Sequence, residues 1–221
     1  MKKTDEKKVA GKEKKYTTIK AIIWDFWGVL VNAKCGSVVQ VWAELLGASA
    51  EGVIRVFSGP ELGQFQSGSI SKDEFYDFVI RELELPAEKK KALENEPLDE
   101  YAHDKELIEY IKGLKDRFMV VMLTNTARPT YEKGRRAWPE FFEAFDHVIP
   151  SFEVNLIKPD PRIYQLTLDK IGCKPEEAVF IDDTEEFVRA AQDLGIHSIL
   201  FKDREQTIEE LESILSLGGK S

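Results

Sequence analysis

Short apolar runs recur along this chain, and each one stops at a polar residue. The stretch TIKAIIWDFWGVLV places Ile19, Ala21, Ile22, Ile23 and Trp24 just before Asp25, with Gly28 closing the run. Further runs span Phe118 to Leu123, Ala178 to Ile181 and Ser198 to Phe201. They stop at Thr124-Asn125, Asp182-Asp183 and Lys202-Asp203; Phe145 to Ile149 is a shorter candidate of the same kind. Continuous apolar runs rich in branched residues suit strands covered on both faces. Helical patterns separate them. Leu107, Ile108, Ile111 and Leu114 share one face of a helix predicted between Asp104 and Lys115. Asp160-Pro161 opens another, running to Ile171 before Gly172, and Thr184 precedes a third that ends at Leu194-Gly195. This alternation predicts an α/β fold with a mostly parallel sheet. Ligands of such sheets bind beyond the carboxyl ends of the strands, where Asp25, Thr124 and Asp182 lie.

Residues 33–104 break the alternation. Ser37 to Leu46, Ser71 to Leu83 and Ala87 to Leu93 read as helices with no buried strand between them, and Ser71 to Glu74 matches a capping box. Ser58 to Gln64 reads as a loop. The segment is expected to form a helical insert above the strand ends. Charge is also uneven along the 221 residues, whose formal net charge is -9. Residues 1–15 hold seven Lys against Asp5, Glu6 and Glu13, a net +4, so the remainder carries −13. An acidic body argues against nucleic acid and anionic membranes as partners, and the basic stretch reads as a flexible, disordered tail or, alternatively, as a contact for an anionic partner. No run approaches the roughly 18 apolar residues of a membrane helix, and no apolar stretch follows the basic start as in a secretory signal. Cys35 and Cys173 are too few for a disulfide framework and lack a zinc-binding spacing. A cytoplasmic protein is expected, its oligomeric state unmarked in the sequence.

Several residues could carry chemistry. Asp25, at a strand end before a glycine turn, could be an exposed nucleophile or a cap for local amides. Thr124-Asn125-Thr126 offers a hydroxyl and amides suited to phosphate oxygens, or an ordinary polar strand end. Lys158, before Pro159, is a fixed cation or a solvated lysine. Asp182-Asp183, brought near Asp25, would favour a hard cation such as Mg²⁺; alternatively Asp183 caps the next helix.

Taken together, the order of these groups is more specific. Asp25, Thr124, Lys158 and Asp182 follow one another at intervals of 99, 34 and 24 residues. The chain from Ile19 to Lys202 closely resembles the haloacid dehalogenase superfamily, with its strand-end Asp, Ser/Thr, Lys and acidic cluster. The stretches MLTNTARPTY, VNLIKPDPRIYQLTLDKIG and AVFIDDTEEFVRAAQDLGIHSILF look most like the branch containing glucose-1-phosphatase-like proteins. The resemblance implies a Rossmann-like α/β core over 16–32 and 105–221, carrying a helical cap over 33–104. It implies that Asp25 attacks phosphorus to form an aspartyl-phosphate, that Thr124 bonds the phosphoryl group and that Lys158 stabilises charge. Mg²⁺ would be held by Asp25, Asp182, Asp183 and the main-chain carbonyl of Trp27. The substrate would be a small phosphorylated metabolite, with Asn125, Arg128 and Gln64 as candidate binding residues.

One position departs from the family. Its phosphatases usually read Asp-x-Asp at the first motif, the second Asp protonating the leaving group, whereas this chain has Trp27. An indole N–H cannot act as that acid. Three readings follow: a phosphatase that works without the acid, a non-catalytic phosphate-binding or interaction protein, or a 2-haloacid dehalogenase, a group that often carries Tyr here.

Overall fold

Alternate residues of the first strand point into different cores, and this organises the molecule. The computed structural model describes residues 18–34, 37–95 and 97–218; the basic stretch 1–15 and Cys35 lie outside them. The described residues open with β1 (Ala21–Trp24) and β2 (Val31–Ala33). Five helices follow: α1 (Val38–Leu46), α2 (Ala50–Phe57), α3 (Pro60–Gln66), α4 (Lys72–Glu82) and α5 (Lys90–Glu94). Next come β3 (Tyr101–His103), α6 (Lys105–Leu114), β4 (Met119–Thr124), α7 (Arg128–Ala137) and α8 (Pro139–Phe142). The rest comprises β5 (His147–Pro150), α9 (Ser151–Val154), α10 (Pro161–Ile171), β6 (Ala178–Asp182), α11 (Glu185–Asp193), β7 (His197–Leu200) and α12 (Arg204–Gly218).

Five strands form one parallel sheet in the order β5-β4-β1-β6-β7, as the buried runs predict. Parallel neighbours need crossovers, and helices provide them on both faces. Ile22 and Trp24 face a core shared with α6, α8 and α12, while Ala21 and Ile23 face α10 and α11. Trp138, Phe141, Phe142 and Phe145 pack against the first of these cores, with Phe141 edge-on to Phe26 at 5.3 Å. Helix ends follow sequence chemistry. The Asp104 side chain accepts from Leu107 N, Asp160 accepts from Arg162 N, and Gly172 closes α10 in the left-handed region.

Between β2 and β3, which pair antiparallel, the helices α1 to α5 build a separate apolar cluster around Leu46, Val53, Phe65, Phe75 and Val79. Ser71 and Glu74 complete the expected capping box. The loop expected over Ser58 to Gln64 is corrected: most of it belongs to α3, started by Pro60 at its first turn with Glu61 beside it. Proline costs nothing there because its missing N–H has no intrahelical partner. α2 carries Gly52 inside it, which obscures its pattern in the sequence. Among the described residues, no helix is long and apolar enough to cross a membrane. Leu46 is fully buried in the helical cluster. Leu46→Ala should therefore lower unfolding free energy by about 2–5 kcal/mol in urea denaturation; a change under about 1 kcal/mol would contradict this packing.

Candidate active site

The register of the central strands sets the first two carboxylates side by side. Trp24 pairs with Ile181, so Asp25 and Asp182 follow at the same level, and Asp25 N donates to Ile181 O at 2.9 Å. Both side chains are buried, and Lys158 lies between them with only 1% of its surface exposed. Its Nζ is 2.7 Å from Asp25 Oδ1 and 2.5 Å from Asp182 Oδ2. Burial opposes the Lys158 ammonium, but the charges of Asp25 and Asp182 outweigh that cost and raise its pKa above the ordinary value. Burial pushes the Asp25 carboxyl up to about 7, against the attraction of Lys158, with Asp182 adding to the rise.

Neighbouring groups hold this arrangement in place. Asn125 Nδ2 donates to Lys158 O at 2.9 Å, and Lys158 N donates to Asn125 Oδ1 at 2.8 Å. The Asn125 amide, expected to bind substrate, is thus engaged with the Lys158 backbone and acts as a positioning group. Asp182 Oδ1 accepts from Thr184 N at 2.8 Å, so Asp182 performs the local capping that Thr184 or Asp183 could have provided; Thr184 itself makes no side-chain cap bond. Gly28 has φ of +82°, and a Cβ there would lie 2.0 Å from Asp183 Oδ2. Only glycine lets the turn after Asp25 approach that carboxylate.

Asp25, Asp182 and Asp183 each offer one oxygen, all within 4.8 Å of one another. Three carboxylates face one ammonium. Partial desolvation and the charge of Asp182 raise the Asp183 pKa as well. Hard oxygen donors with excess negative charge fit Mg²⁺, and the close approach at Gly28 gives that cluster its shape. Thr124 Oγ1, at the end of β4, is buried with no hydrogen-bond partner among the described residues. Trp27 packs edge-on to Phe26 at 4.8 Å and to Tyr101 at 5.2 Å.

A cavity of about 450 Å³ opens onto this cluster, and Asp25, Trp27, Asn125, Lys158 and Asp183 line it. Asp182 lies behind Lys158, while Thr124 lines a small adjoining void together with Trp27 and Thr126. Two expected binding residues lie elsewhere. Gln64 lines an outer groove with Ser58 and Asn155. Arg128 stacks over the Phe152 ring at 4.5 Å, pairs with Glu132 at 3.8 Å and lines a different surface pocket. Gln66 occupies the cavity instead. Two residues on a helix are about 200° apart, so Gln64 and Gln66 face opposite ways. Reading Leu62, Phe65 and Gln66 as helical spacing after Pro60 would have found it. Ser151, which carries no sequence signal of its own, accepts at Oγ from Thr126 N at 2.9 Å and donates to Gln66 O at 2.6 Å, tying the insert to the sheet.

A family model described as haloacid dehalogenase-like hydrolase matches residues 19–195. The chain is 28% identical to D-ribitol-5-phosphate phosphatase of Bacteroides thetaiotaomicron over 214 residues, covering 90% of this chain and 99% of that protein. It is also 28% identical to a sesquiterpene phosphatase of Aspergillus oryzae over 200 residues, covering 90% and 98%. Bifunctional epoxide hydrolase 2 of Sus scrofa is 37% identical over 103 residues, or 45% of this chain, and the match spans 19% of that enzyme. A HAD family enzyme from Bacteroides thetaiotaomicron, solved with magnesium and inorganic phosphate, superposes with a TM-score of 0.69 at 22% identity. That alignment covers 86% of this chain and 98% of the other, and shows a shared fold.

A carboxyl held near 7 is mostly protonated at about pH 6 and ionised at about pH 8, and only the ionised form ligates a metal. Mg²⁺ should therefore raise the unfolding temperature saturably, with a larger gain at about pH 8 than at about pH 6, and EDTA should remove the gain. Equal shifts at both pH values would contradict the raised Asp25 pKa, and no shift at either would contradict the cluster as a cation site.

Proposed function

The chain belongs to the haloacid dehalogenase-like hydrolases, and from that premise we propose a Mg²⁺-dependent phosphatase that uses Asp25 as its nucleophile on a small phosphorylated metabolite. One observation carries this reading: a buried lysine bridges two strand-end carboxylates while Gly28 admits a third beside them. The helical segment over 33–104 is read as a cap over the strand ends. Relatives matched along nearly their whole length are named as phosphatases of a sugar-alcohol phosphate and of sesquiterpenes. A dehalogenase is disfavoured, since those relatives are phosphatases and the paired acids Asp182 and Asp183 are retained.

In the proposed reaction an Asp25 oxygen attacks phosphorus, forming an O–P bond as the ester O–P bond breaks, and the electron pair leaves with the substrate oxygen. Water then attacks phosphorus in the aspartyl-phosphate, releasing inorganic phosphate and restoring the Asp25 carboxylate. Lys158 orients Asp25 and offsets the charge growing on the phosphoryl oxygens. The Thr124 hydroxyl, buried and unpartnered at the end of β4 in the adjoining void, is the group that would donate to one of those oxygens. Asp25, Asp182, Asp183 and the Trp27 carbonyl would hold Mg²⁺, which supplies positive charge so that an anionic nucleophile can meet an anionic ester. Trp27 provides no acid, so the departing oxygen is not protonated from this position. Aryl and acyl phosphates, whose oxygens leave readily as anions, should turn over best.

Mg²⁺-dependent release of p-nitrophenol from p-nitrophenyl phosphate should fall to background in Asp25→Asn. Turnover surviving in that variant would place the nucleophile elsewhere, and binding of Mg²⁺ and phosphate without turnover of any ester would indicate a non-catalytic protein. Trp27→Asp should raise turnover of alkyl phosphates, by up to roughly 10²-fold. No gain in a variant with an unchanged circular dichroism spectrum would count against the missing acid as the limit on rate.

A further inference from the structure

The cavity above Asp25 has two chemically different ends. Among the described residues that line it, Asp25, Lys158 and Asp183 carry the only charges, and they sit together at the strand ends. The opposite walls come from the helical segment and are mostly apolar: Trp42 of α1, Phe57 of α2, Leu62 and Phe65 of α3 and Phe75 of α4, with Gln66 and Tyr76 the polar-tipped side chains among them. The rings brace one another. Phe65 stacks on Phe75 at 4.5 Å and 14°, and Trp42 stacks on Phe57 at 5.3 Å and 24°. Trp27 extends the apolar lining down to the carboxylates, pinned by Phe26 and Tyr101.

This lining discriminates between kinds of phosphate ester. Gln66, Tyr76 and Thr130 offer a few polar partners, but a polyhydroxyl body would turn most of its hydroxyls toward carbon, and every hydroxyl that loses water without gaining a partner is penalised. A hydrocarbon body of equal size gains from the same desolvation. The volume, about 450 Å³, lies in the range that encloses a whole organic ligand and exceeds what a phosphoryl group needs. Val38, 45% exposed, marks the rim.

Resting on the phosphatase reading above, we infer that the substrate is the monophosphate ester of a lipophilic organic group. Its phosphoryl end sits at Asp25 and Lys158, and its hydrocarbon body runs past Trp27 along Trp42, Phe57, Leu62 and Phe65 toward Val38. At position 27 the chain thus has an apolar contact for the first carbons of the substrate where a carboxylic acid is usual.

Two series on the full-length protein test this. Straight-chain alkyl phosphates from butyl to octyl share one leaving-group chemistry and differ only in apolar length, and the matching alkylphosphonates bind without being hydrolysed. Phosphonate inhibition should strengthen with length, by about three- to fourfold per methylene at most, and octyl phosphate should exceed butyl phosphate and ribitol phosphate in kcat/KM. Val38→Asp puts a carboxylate at the rim, in the first turn of α1, where the helix dipole favours it, so the fold is kept. It should cut the octyl-to-butyl ratio of kcat/KM by about tenfold. A flat length series, a preference for ribitol phosphate or an unchanged ratio in Val38→Asp would overturn the inference while p-nitrophenyl phosphate turnover kept the phosphatase reading intact. Absence of that turnover would instead defeat the phosphatase reading, and the substrate assignment with it.

Discussion

The buried ammonium of Lys158, held between Asp25 and Asp182, is the interaction on which the rest of the site depends. Removing three ions from water costs several kcal/mol each, and only close mutual contact offsets it. The contacts are close because the parallel register aligns Asp25 with Asp182, and because Asn125 fixes the Lys158 backbone in both directions. One ammonium cannot balance three carboxylates once Asp183 is counted. Burial, with the charge of Asp182 adding to it, keeps the Asp25 carboxyl high, and the surplus negative charge makes the cluster receptive to a divalent cation. The same imbalance that burdens the folded chain prepares it to bind.

Charge and apolar surface come from different parts of the molecule. Strand ends deliver Asp25 and Asp182, the turn before α10 delivers Lys158 fixed by Asn125, and α1 to α4 deliver rings and branched chains. A narrow seam joins the two. Ser151 bridges Thr126 and Gln66, Gln66 reaches Asn125 O at 3.4 Å, Asn155 donates to Ser67 O, and Ala127 packs into the helical cluster. Trp27 stands where the parts meet, packed on Phe26 and Tyr101 and lining the cavity beside the carboxylates.

Much of this was legible because burial on two faces leaves an unmistakable mark. β1, β4, β6 and β7 are runs of apolar residues, and their carboxyl ends announced Asp25, Thr124 and Asp182 before any geometry was known. Lys158 stood out through its place in the motif order, since nothing in its own neighbourhood marks a lysine as buried. The helical segment was harder to read. Gly52 inside α2 and Ser58-Gly59-Pro60 before α3 resemble loop signals, although Pro60 opens a helix. A loop there leaves Gln64 and Gln66 equivalent, whereas the helix turns Gln66 into the cavity and Gln64 to an outer groove. Arg128 is a cation two residues after Thr126, which brings it close to the site along the chain. α7 begins there, however, and directs it onto Phe152 and Glu132, the surface ion pair that the sequence leaves open as its alternative. Side-chain direction depends on where a helix starts, and chain distance does not supply it.

The central claim is that Asp25 forms a covalent bond to phosphorus. It is tested most directly by acid-quenching the enzyme during turnover of p-nitrophenyl phosphate with Mg²⁺, then mapping any phosphoryl adduct by peptide mass spectrometry. The account predicts one phosphoryl group on the peptide bearing Asp25, labile to hydroxylamine as an acyl phosphate should be. A phosphoryl group trapped on another residue, or steady turnover with no adduct at any quench time, would contradict it.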